Sequence, residues 1–414
     1  MPCTYISCVA EHHMGRESTG TLIQAKLPEE GEALLSRFGG QVQTIYLDPP
    51  FNTGKQFDMK ARIGEKGYRT GSPSLSLPAY DDRWPDRAEY LSMMKQTLLL
   101  SRELLKKEGT LFLHIDSRMY AHLRLLMDEV FGESNFLNEI IWVYQSGGRS
   151  LKYFSRKHDV ILFYRKSPKY DFNVEEVMVA PSEPRSNHMR RHVDPDGRVY
   201  RSIRSNGRVY TYYDDDPVAP SDVWNDLSHL QQRDPERTGY DTQKPLALLD
   251  RIVKCGSREG ELVADLFAGS GTTLEAARLN GRRFLGVDRC PMTLNIARRR
   301  LCGSSYALEF EPFEGAPVCE ASMTMGVGFY HVTLEKFALE PGLLGREFEG
   351  LDAVDAWSVG YLKPEGFCCM AESLRTRREP RLKTELDAPV YAGELAVCVC
   401  DVAGRCFYYR IDGE

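Results

Sequence analysis

No stretch of this chain approaches the roughly eighteen consecutive apolar residues that a membrane-crossing helix needs, which excludes such a helix from the expected structure. The opening Met1-Pro2-Cys3 carries no basic-then-apolar run, so no secretory signal is read and the cytoplasm is the expected compartment. Not one C-x-x-C pair occurs among the eleven cysteines, an odd number scattered from Cys3 to Cys406, and reduced thiols are therefore expected rather than a disulfide framework. Cys398, Cys400 and Cys406 come closest to a cluster. Cys398 and Cys400 lie two apart in an apolar alternating run and would share one face of a strand; structural zinc sites use tighter paired spacings, so no metal is expected. No Ser-His-Asp or Cys-His arrangement is visible, and His114 and His158, each beside an apolar strand, are read as structural.

What is present is globular: 414 residues, 42% hydrophobic and 27% charged, long enough for one core with appended modules. The net charge of -6 argues against a surface coated in positive charge, yet it conceals a polarity. Arginines and lysines outnumber acids between Trp142 and Tyr210, whereas acids prevail from Glu309 onward, as in Glu347 to Asp355. The basic middle suggests one face built for polyanions, and the charge of the C-terminal region argues against a phosphate role there.

Three regions follow from pattern. To about residue 170, short apolar strands alternate with helical stretches: a strand Thr44 to Leu47, a helix Asp86 to Lys107 stopped by Lys106, Lys107 and Gly109, a strand Thr110 to Ile115 and a helix Tyr120 to Phe131. Such alternation predicts an α/β parallel sheet. From 171 to 240 the rhythm is lost, and Gly197-Arg198-Val199-Tyr200 recurs as Gly207-Arg208-Val209-Tyr210, the sign of a small hairpin in an insertion. The core resumes at 241–307, and 308–414 reads as a separate accessory module of α/β or β-rich character, with strands near Gly328 to Thr333, Val354 to Tyr361, Leu395 to Asp401 and Cys406 to Ile411.

Two segments carry chemistry. Thr44 to Leu47 is a buried-type strand that ends in Asp48-Pro49-Pro50-Phe51. Proline cannot continue a central strand, so the loop leaves the sheet at its carboxyl edge, where open α/β sheets place ligands. An exocyclic amine of a nucleobase is a poor nucleophile because its lone pair is delocalised; two acceptors on its protons free that pair. Asp48 offers a carboxylate, Pro49 only a carbonyl, and Phe51 a ring to stack on an extruded base. The second segment, Leu262-Val263-Ala264-Asp265-Leu266-Phe267-Ala268-Gly269-Ser270-Gly271-Thr272-Thr273, is a strand and glycine turn followed by a helix and by Phe284 to Asp288. Glycines allow close backbone approach, the helix start favours an anion, and the terminal acid can bind ribose hydroxyls, so a nucleoside-containing cofactor is implied. Ala276 replaces the third glycine of a dinucleotide fingerprint, and no Lys-Ser or Lys-Thr follows the turn, which disfavours a P-loop.

In this order the two motifs resemble the β-type amino-methyltransferases that act on DNA with S-adenosyl-L-methionine. Thr242-Gln243-Lys244-Pro245, followed by Leu246 to Val253, resembles the helix-opening segment that the family places just before its glycine loop, and Tyr90 to Phe131 and Val223-Trp224-Asn225-Asp226 are similar to the modification subunits of type III restriction systems. The resemblance covers about residues 20 to 300. It implies a Rossmann-like methyltransferase sheet with helices on both faces, methylation of adenine N6 in double-stranded DNA, and catalysis by Asp48, Pro49, Pro50 and Phe51. The cofactor would be held by Lys244, Pro245, Asp265, Phe267, Ala268, Gly269, Ser270, Gly271, Thr272, Thr273 and Asp288. DNA would be bound by Arg149, Lys152, Arg190, Arg191, Arg198, Arg201, Arg204 and Arg208 in the target-recognition insertion. The family also admits a homodimer and a restriction or other partner subunit. Gly20 to Lys26 departs from the pattern, having no acid where relatives carry Gly-Asp-Asn. The rival readings are cytosine N4 methylation and a methyltransferase-fold module that binds DNA or a partner without turnover; an intact Asp48 and glycine turn speak against the latter.

Overall fold

All six residues of Val42–Leu47 are buried, and this strand becomes the middle of a sheet covered on both faces. The computed structural model describes residues 3–6, 10–13, 19–144, 151–181, 189–231, 234–301, 305–310, 317–339, 344, 347–364 and 366–411. Gly20–Gln24, Arg283–Asp288, Leu262–Asp265, Val42–Leu47 and Leu105–Ile115 lie side by side in that order, all parallel. Ile45 and Leu47 pack against the helices Gly31–Phe38, Arg87–Leu104 and Tyr120–Phe131. Tyr46 points the other way, toward Leu246–Gly256, Thr272–Leu279 and Pro291–Leu301, as the period of two in a strand requires. The expected helices on both faces are present.

The sheet is mixed, not wholly parallel. Phe136–Val143 returns parallel to Leu105–Ile115, and His158–Arg165 fills the gap between them antiparallel to both. Asp86 caps the helix Arg87–Leu104 by accepting from Glu89 N at 2.9 Å, close to the expected start. Its end differs: the helix stops at Leu104 and Leu105 opens the next strand opposite Val42. Lys106 and Lys107, expected as a helix end, are strand residues because Leu105 is pulled into the sheet and Lys106 reaches Glu261 at 3.0 Å; pairing overrides helix propensity.

Not all of the C-terminal strands stand apart from the core. Gly366–Leu374, Val354–Lys363, Glu394–Asp401 and Cys406–Arg410 continue the main sheet, as does Thr4–Ile6 beside Cys406–Arg410. Ala10–His13 makes the join, antiparallel to Ala307–Glu309 and parallel to Gly366–Leu374. Glu11, fully buried, pairs with Arg298 and accepts from Tyr408 Oη at 3.0 Å. A second, three-stranded sheet of Val318–Met325, Phe329–Ala338 and Glu385–Pro389 shares a core with Trp357, Val397 and Phe407. Cys398 and Cys400 do share a face, and Cys406 joins them from the neighbouring strand, their sulfurs within 4.8 Å of one another.

The insertion contains a meander of Arg190–Val193, Val199–Ser205 and Arg208–Tyr213. Gly197 and Gly207 form its turns with φ of +85° and +76°, so each copy of Gly-Arg-Val-Tyr marks the exit from a turn into a strand. Val223–Trp224 then docks beside Ile141 and Trp142, and Asp226 pairs with Arg251, which lies 5.1 Å from the Trp224 ring centre. Among the described residues no helix is long and apolar enough to cross a membrane.

Candidate active site

Val42–Leu47 and Leu262–Asp265 are parallel neighbours, so the loops that follow Leu47 and Asp265 emerge at one edge of the sheet. The first loop is held by groups that a local motif does not announce. Asp82, fully buried, accepts from Asn52 N at 2.9 Å and Thr53 N at 2.8 Å, and its carbonyl accepts from Gly54 N at 3.1 Å. This grip keeps Asn52 at φ +54°, a left-handed conformation that asparagine tolerates better than most residues. Tyr90 Oη donates to the Pro50 carbonyl at 2.8 Å. Pro49 keeps a carbonyl with no protein partner among the described residues.

Asp48 divides its two oxygens. Oδ2 forms an ion pair with Lys244 Nζ, while Oδ1 is buried without a hydrogen-bond partner. Lys244 also lies 5.4 Å from the centre of the Phe51 ring. Phe51 in turn stacks on His114 with ring centres 6.2 Å apart and planes at 29°. His114 is fully buried, bonded to Tyr46 Oη at 2.8 Å and to Asp159 Oδ2 at 3.2 Å. Burial opposes ionisation of Asp159, but hydrogen bonding and charge from His114, with Lys244 and Tyr144 adding, hold its carboxyl below the ordinary range. His114 is thus structural as expected, and what it supports is the Phe51 ring. His158 is exposed and stands apart from this cluster.

The second loop is braced by its own acids. Asp265 accepts from Phe267 N at 3.0 Å and Thr273 Oγ1 at 2.6 Å, and Asp288 accepts from Gly269 N at 2.8 Å and Cys290 N at 2.9 Å. Gly269 has φ +49°, and a Cβ there would lie 3.2 Å from the Tyr240 ring. Burial raises the Asp288 carboxyl above its usual range despite those two backbone donors.

Both loops open into one cavity of about 270 Å³. Asp48, Pro49, Pro50, Phe51, Lys244, Asp265, Phe267, Ala268, Gly269, Ser270, Thr272, Thr273 and Asp288 all line it. Two expected residues do not. Gly271 starts the helix Thr272–Leu279, where a Cβ would meet Ala297 at 3.3 Å, and Pro245 caps Leu246–Gly256. Sequence reasoning missed Tyr80, Asp82, Trp84, Arg118 and Tyr240, which also face the cavity. The one available signal was the run Asp81-Asp82-Arg83-Trp84, in which Asp82 finds its partners about thirty residues away in the catalytic loop, at Asn52 and Thr53. Burial raises the Tyr240 hydroxyl well above its usual range, with the Asp288 charge adding to it.

Asp265 is pushed up to about 7, first by burial and then by the Asp48 and Asp288 charges, against the bonds from Thr273 and Phe267. An unfolded Asp titrates near 3.9, roughly, so the fold retains this proton to higher pH than the unfolded chain does. The stability tied to that proton is full below the unfolded value and is lost as pH rises through about 7. Asp265→Asn is expected to abolish this loss: the wild-type melting temperature should fall relative to the variant between about pH 5 and about pH 8. Parallel melting profiles would refute it.

The basic residues of the insertion fare unequally. Arg198 is tied to Asp215 and Asp216 and lies over the Tyr213 ring at 4.0 Å, and Arg201 bonds Asp214 at 3.2 Å. Arg190, Arg191, Arg204 and Arg208 are exposed. Cross-strand pairing places Arg191 and Arg208 on the face that also exposes Val193, Ile203 and Tyr210, while Arg190 and Arg204 occupy the other. Lys152 is exposed, and Arg149 lies outside the described residues.

Fold and site together define an α/β chain in which one carboxyl-edge cavity joins a glycine turn to an Asp-Pro-Pro-aromatic loop. The chain belongs to the DNA methylase family of the N6/N4 type, whose model matches residues 42–299. It is 29% identical over 296 residues to the type II methyltransferase M.EcaI of Enterobacter cloacae, covering 60% of this chain and 62% of that one. To the DNA adenine methyltransferase YhdJ of Escherichia coli strain K12 it is 27% identical over 301 residues, 71% of this chain and 89% of that one. To the type III StyLTI Mod subunit of Salmonella typhimurium strain LT2 it is 24% identical over 307 residues, 59% of this chain; the match spans 47% of that subunit, under half its length.

Proposed function

We propose that this protein is a site-specific DNA methyltransferase that moves the methyl group of S-adenosyl-L-methionine to the exocyclic N6 of adenine in double-stranded DNA. The observation that carries the reading is Asp48 Oδ1, a buried acceptor with no partner, set beside the Pro49 carbonyl in a cavity that also holds Phe51 and the glycine turn. The cavity suits a cationic nucleoside cofactor. Asp48, Asp82, Asp265 and Asp288 line it, Lys244 is already paired with Asp48, and a side chain at Gly269 would crowd the space against Tyr240. Phe267, Gly269, Ser270, Thr272, Thr273, Asp265 and Asp288 would hold it.

The cofactor, when bound, supplies an electrophilic methyl group on a sulfonium. The base must leave the duplex to reach the cavity, and Phe51, backed by His114, gives it a face to stack on. Asp48 Oδ1 and the Pro49 carbonyl accept the two amine protons, which favours a pyramidal nitrogen with an available lone pair. Lys244 occupies Oδ2 and so fixes which oxygen meets the amine. Once the amine carries the transferred methyl group, Asp48 Oδ1 would take up its surplus proton. Positioning is the main source of acceleration. Arg191 and Arg208, interleaved with Ile203 and Tyr210, give the insertion a face for phosphates and base edges.

Adenine is favoured by Asp in the first position of the loop and by the name that YhdJ carries. The reading needs no partner but DNA. Single-molecule sequencing of DNA from cells expressing the wild type or Asp48→Ala tests it: N6-methyladenine at a defined motif, lost in the variant, is expected. Modified cytosine would replace the base assignment, and unmodified DNA from folded, cofactor-binding wild type would sink the reading.

A further inference from the structure

The loop that lends Tyr240, Thr242 and Lys244 to the catalytic cavity lends Arg237 and Thr238 to a second one, of about 410 Å³. Its other walls are Lys60 and Arg62 on the strand Gln56–Arg62, Arg299 and Arg300 on the helix Pro291–Leu301, and the turn that carries Arg377 and Arg378. Three carboxylates also line it, and each is already engaged. Asp355 pairs with Arg299, Glu275 pairs with Arg300, and Glu236 accepts from Leu246 N at 2.9 Å. Among the described residues, Lys60, Arg62, Arg237, Arg377 and Arg378 have no carboxylate within ion-pair distance. Arg300 is 8% exposed; its Nη2 faces Glu236 in a long ion pair at 3.9 Å, and neither Nη2 nor Nε makes a hydrogen bond.

Several like charges around one concave surface repel one another, and buried guanidinium donors without acceptors are costly. Burial lowers the Arg62 guanidinium below its usual range, and the charge of Arg377 lowers it further. An anion with several oxygens would relieve both conditions. Guanidinium forks match the geometry of phosphate in particular.

We propose that this cavity is a phosphate-binding site, filled by a backbone phosphate of the DNA whose base occupies the catalytic cavity. The choice of DNA as the source rests on the methyltransferase reading above; the phosphate chemistry does not. The site brings the C-terminal region onto the nucleic acid through the basic stretch 375–383, where Arg375, Arg377, Arg378, Arg381 and Lys383 interrupt an otherwise acidic segment. That reverses the expectation drawn from average charge. It also links the two cavities: Thr238 N and Oγ1 donate to Gln243 Oε1 at 2.8 and 2.7 Å, next to Lys244, so a phosphate held at Arg237 steadies the segment that grips Asp48.

The double variant Arg377→Ala/Arg378→Ala tests the proposal, since both side chains are exposed and their loss leaves the core intact. Duplex affinity is measured by fluorescence anisotropy over a salt series, with S-adenosyl-L-methionine affinity and melting temperature as controls. Pyrophosphate binding to both proteins is followed by calorimetry. The plot of log affinity against log salt is expected to flatten by about one unit, with both controls unchanged. An unchanged salt slope together with pyrophosphate binding lost in the variant would support the phosphate site and assign it to a free phosphate compound. An unchanged slope with pyrophosphate binding neither protein, or both equally, would overturn the proposal. Wild-type protein that binds no duplex even at low salt would count against the methyltransferase reading, and the pyrophosphate comparison would then decide the site alone.

Discussion

Asp48→Ala is expected to slow methyl transfer by about a thousandfold or more while leaving S-adenosyl-L-methionine affinity within about twofold. The split follows from where the side chain stands. Its Oδ1 is buried and unpartnered beside the Pro49 carbonyl, whereas the glycine turn is braced by Asp265 and Asp288, which Asp48 does not touch by hydrogen bond. Asp48→Asn retains a carbonyl oxygen but gives up the ion pair with Lys244, and either amide orientation leaves one cavity atom mismatched. An intermediate rate is expected for it. Single-turnover transfer of labelled methyl to unmethylated duplex, with calorimetry for the cofactor, separates chemistry from binding. A variant Ala protein retaining a tenth of the wild-type rate would remove Asp48 from the chemistry.

Gly269→Val is expected to produce the opposite split, with cofactor affinity falling by about tenfold or more and the loss passing to turnover at low cofactor concentration. A β-branched residue at φ +49° bears a left-handed conformation that costs roughly 1–2 kcal/mol, and its Cβ would crowd the Tyr240 ring at 3.2 Å. Each 1.4 kcal/mol, about, is a factor of ten in affinity. Gly269→Ala should lose less, because it lacks the branch. Calorimetric titration measures both; unchanged affinity in the Val variant would mean that the turn does not approach the cofactor closely.

The parts of this site that were legible in the sequence are those in which a few consecutive residues specify their own geometry. Val42–Leu47 reads as a buried strand because all six side chains avoid water, and Pro49 and Pro50 force the chain out of the sheet. Gly269 and Gly271 mark a turn by the φ values that only glycine adopts freely. Asp82 and Tyr90 escaped because what they do lies thirty to forty residues away, at Asn52 and Pro50, and no local pattern encodes it. Lys244 was assigned to the cofactor from its motif; that it grips Asp48, 196 residues away, is a fact of folding. The separate C-terminal module was a reasonable inference from a change of rhythm at about residue 308. It missed the sheet's continuity because the joining strand, Ala10–His13, comes from the other end of the chain. Average charge misled in the same way, hiding a basic turn in an acidic region and acids beside Arg198 and Arg201.

That joining strand also sets a timetable for assembly. Ala10–His13 leaves the ribosome long before one of its neighbours, Gly366–Leu374, has been made, and Thr4–Ile6 waits still longer for Cys406–Arg410. Until those partners have been made the nascent chain carries an open strand edge at the junction, with unpaired backbone groups able to template another copy. Shortened chains that end before Gly366 keep both catalytic loops and still leave Ala10–His13 half paired. In such fragments the hazard is aggregation, arising at a sheet edge several strands away from the chemistry.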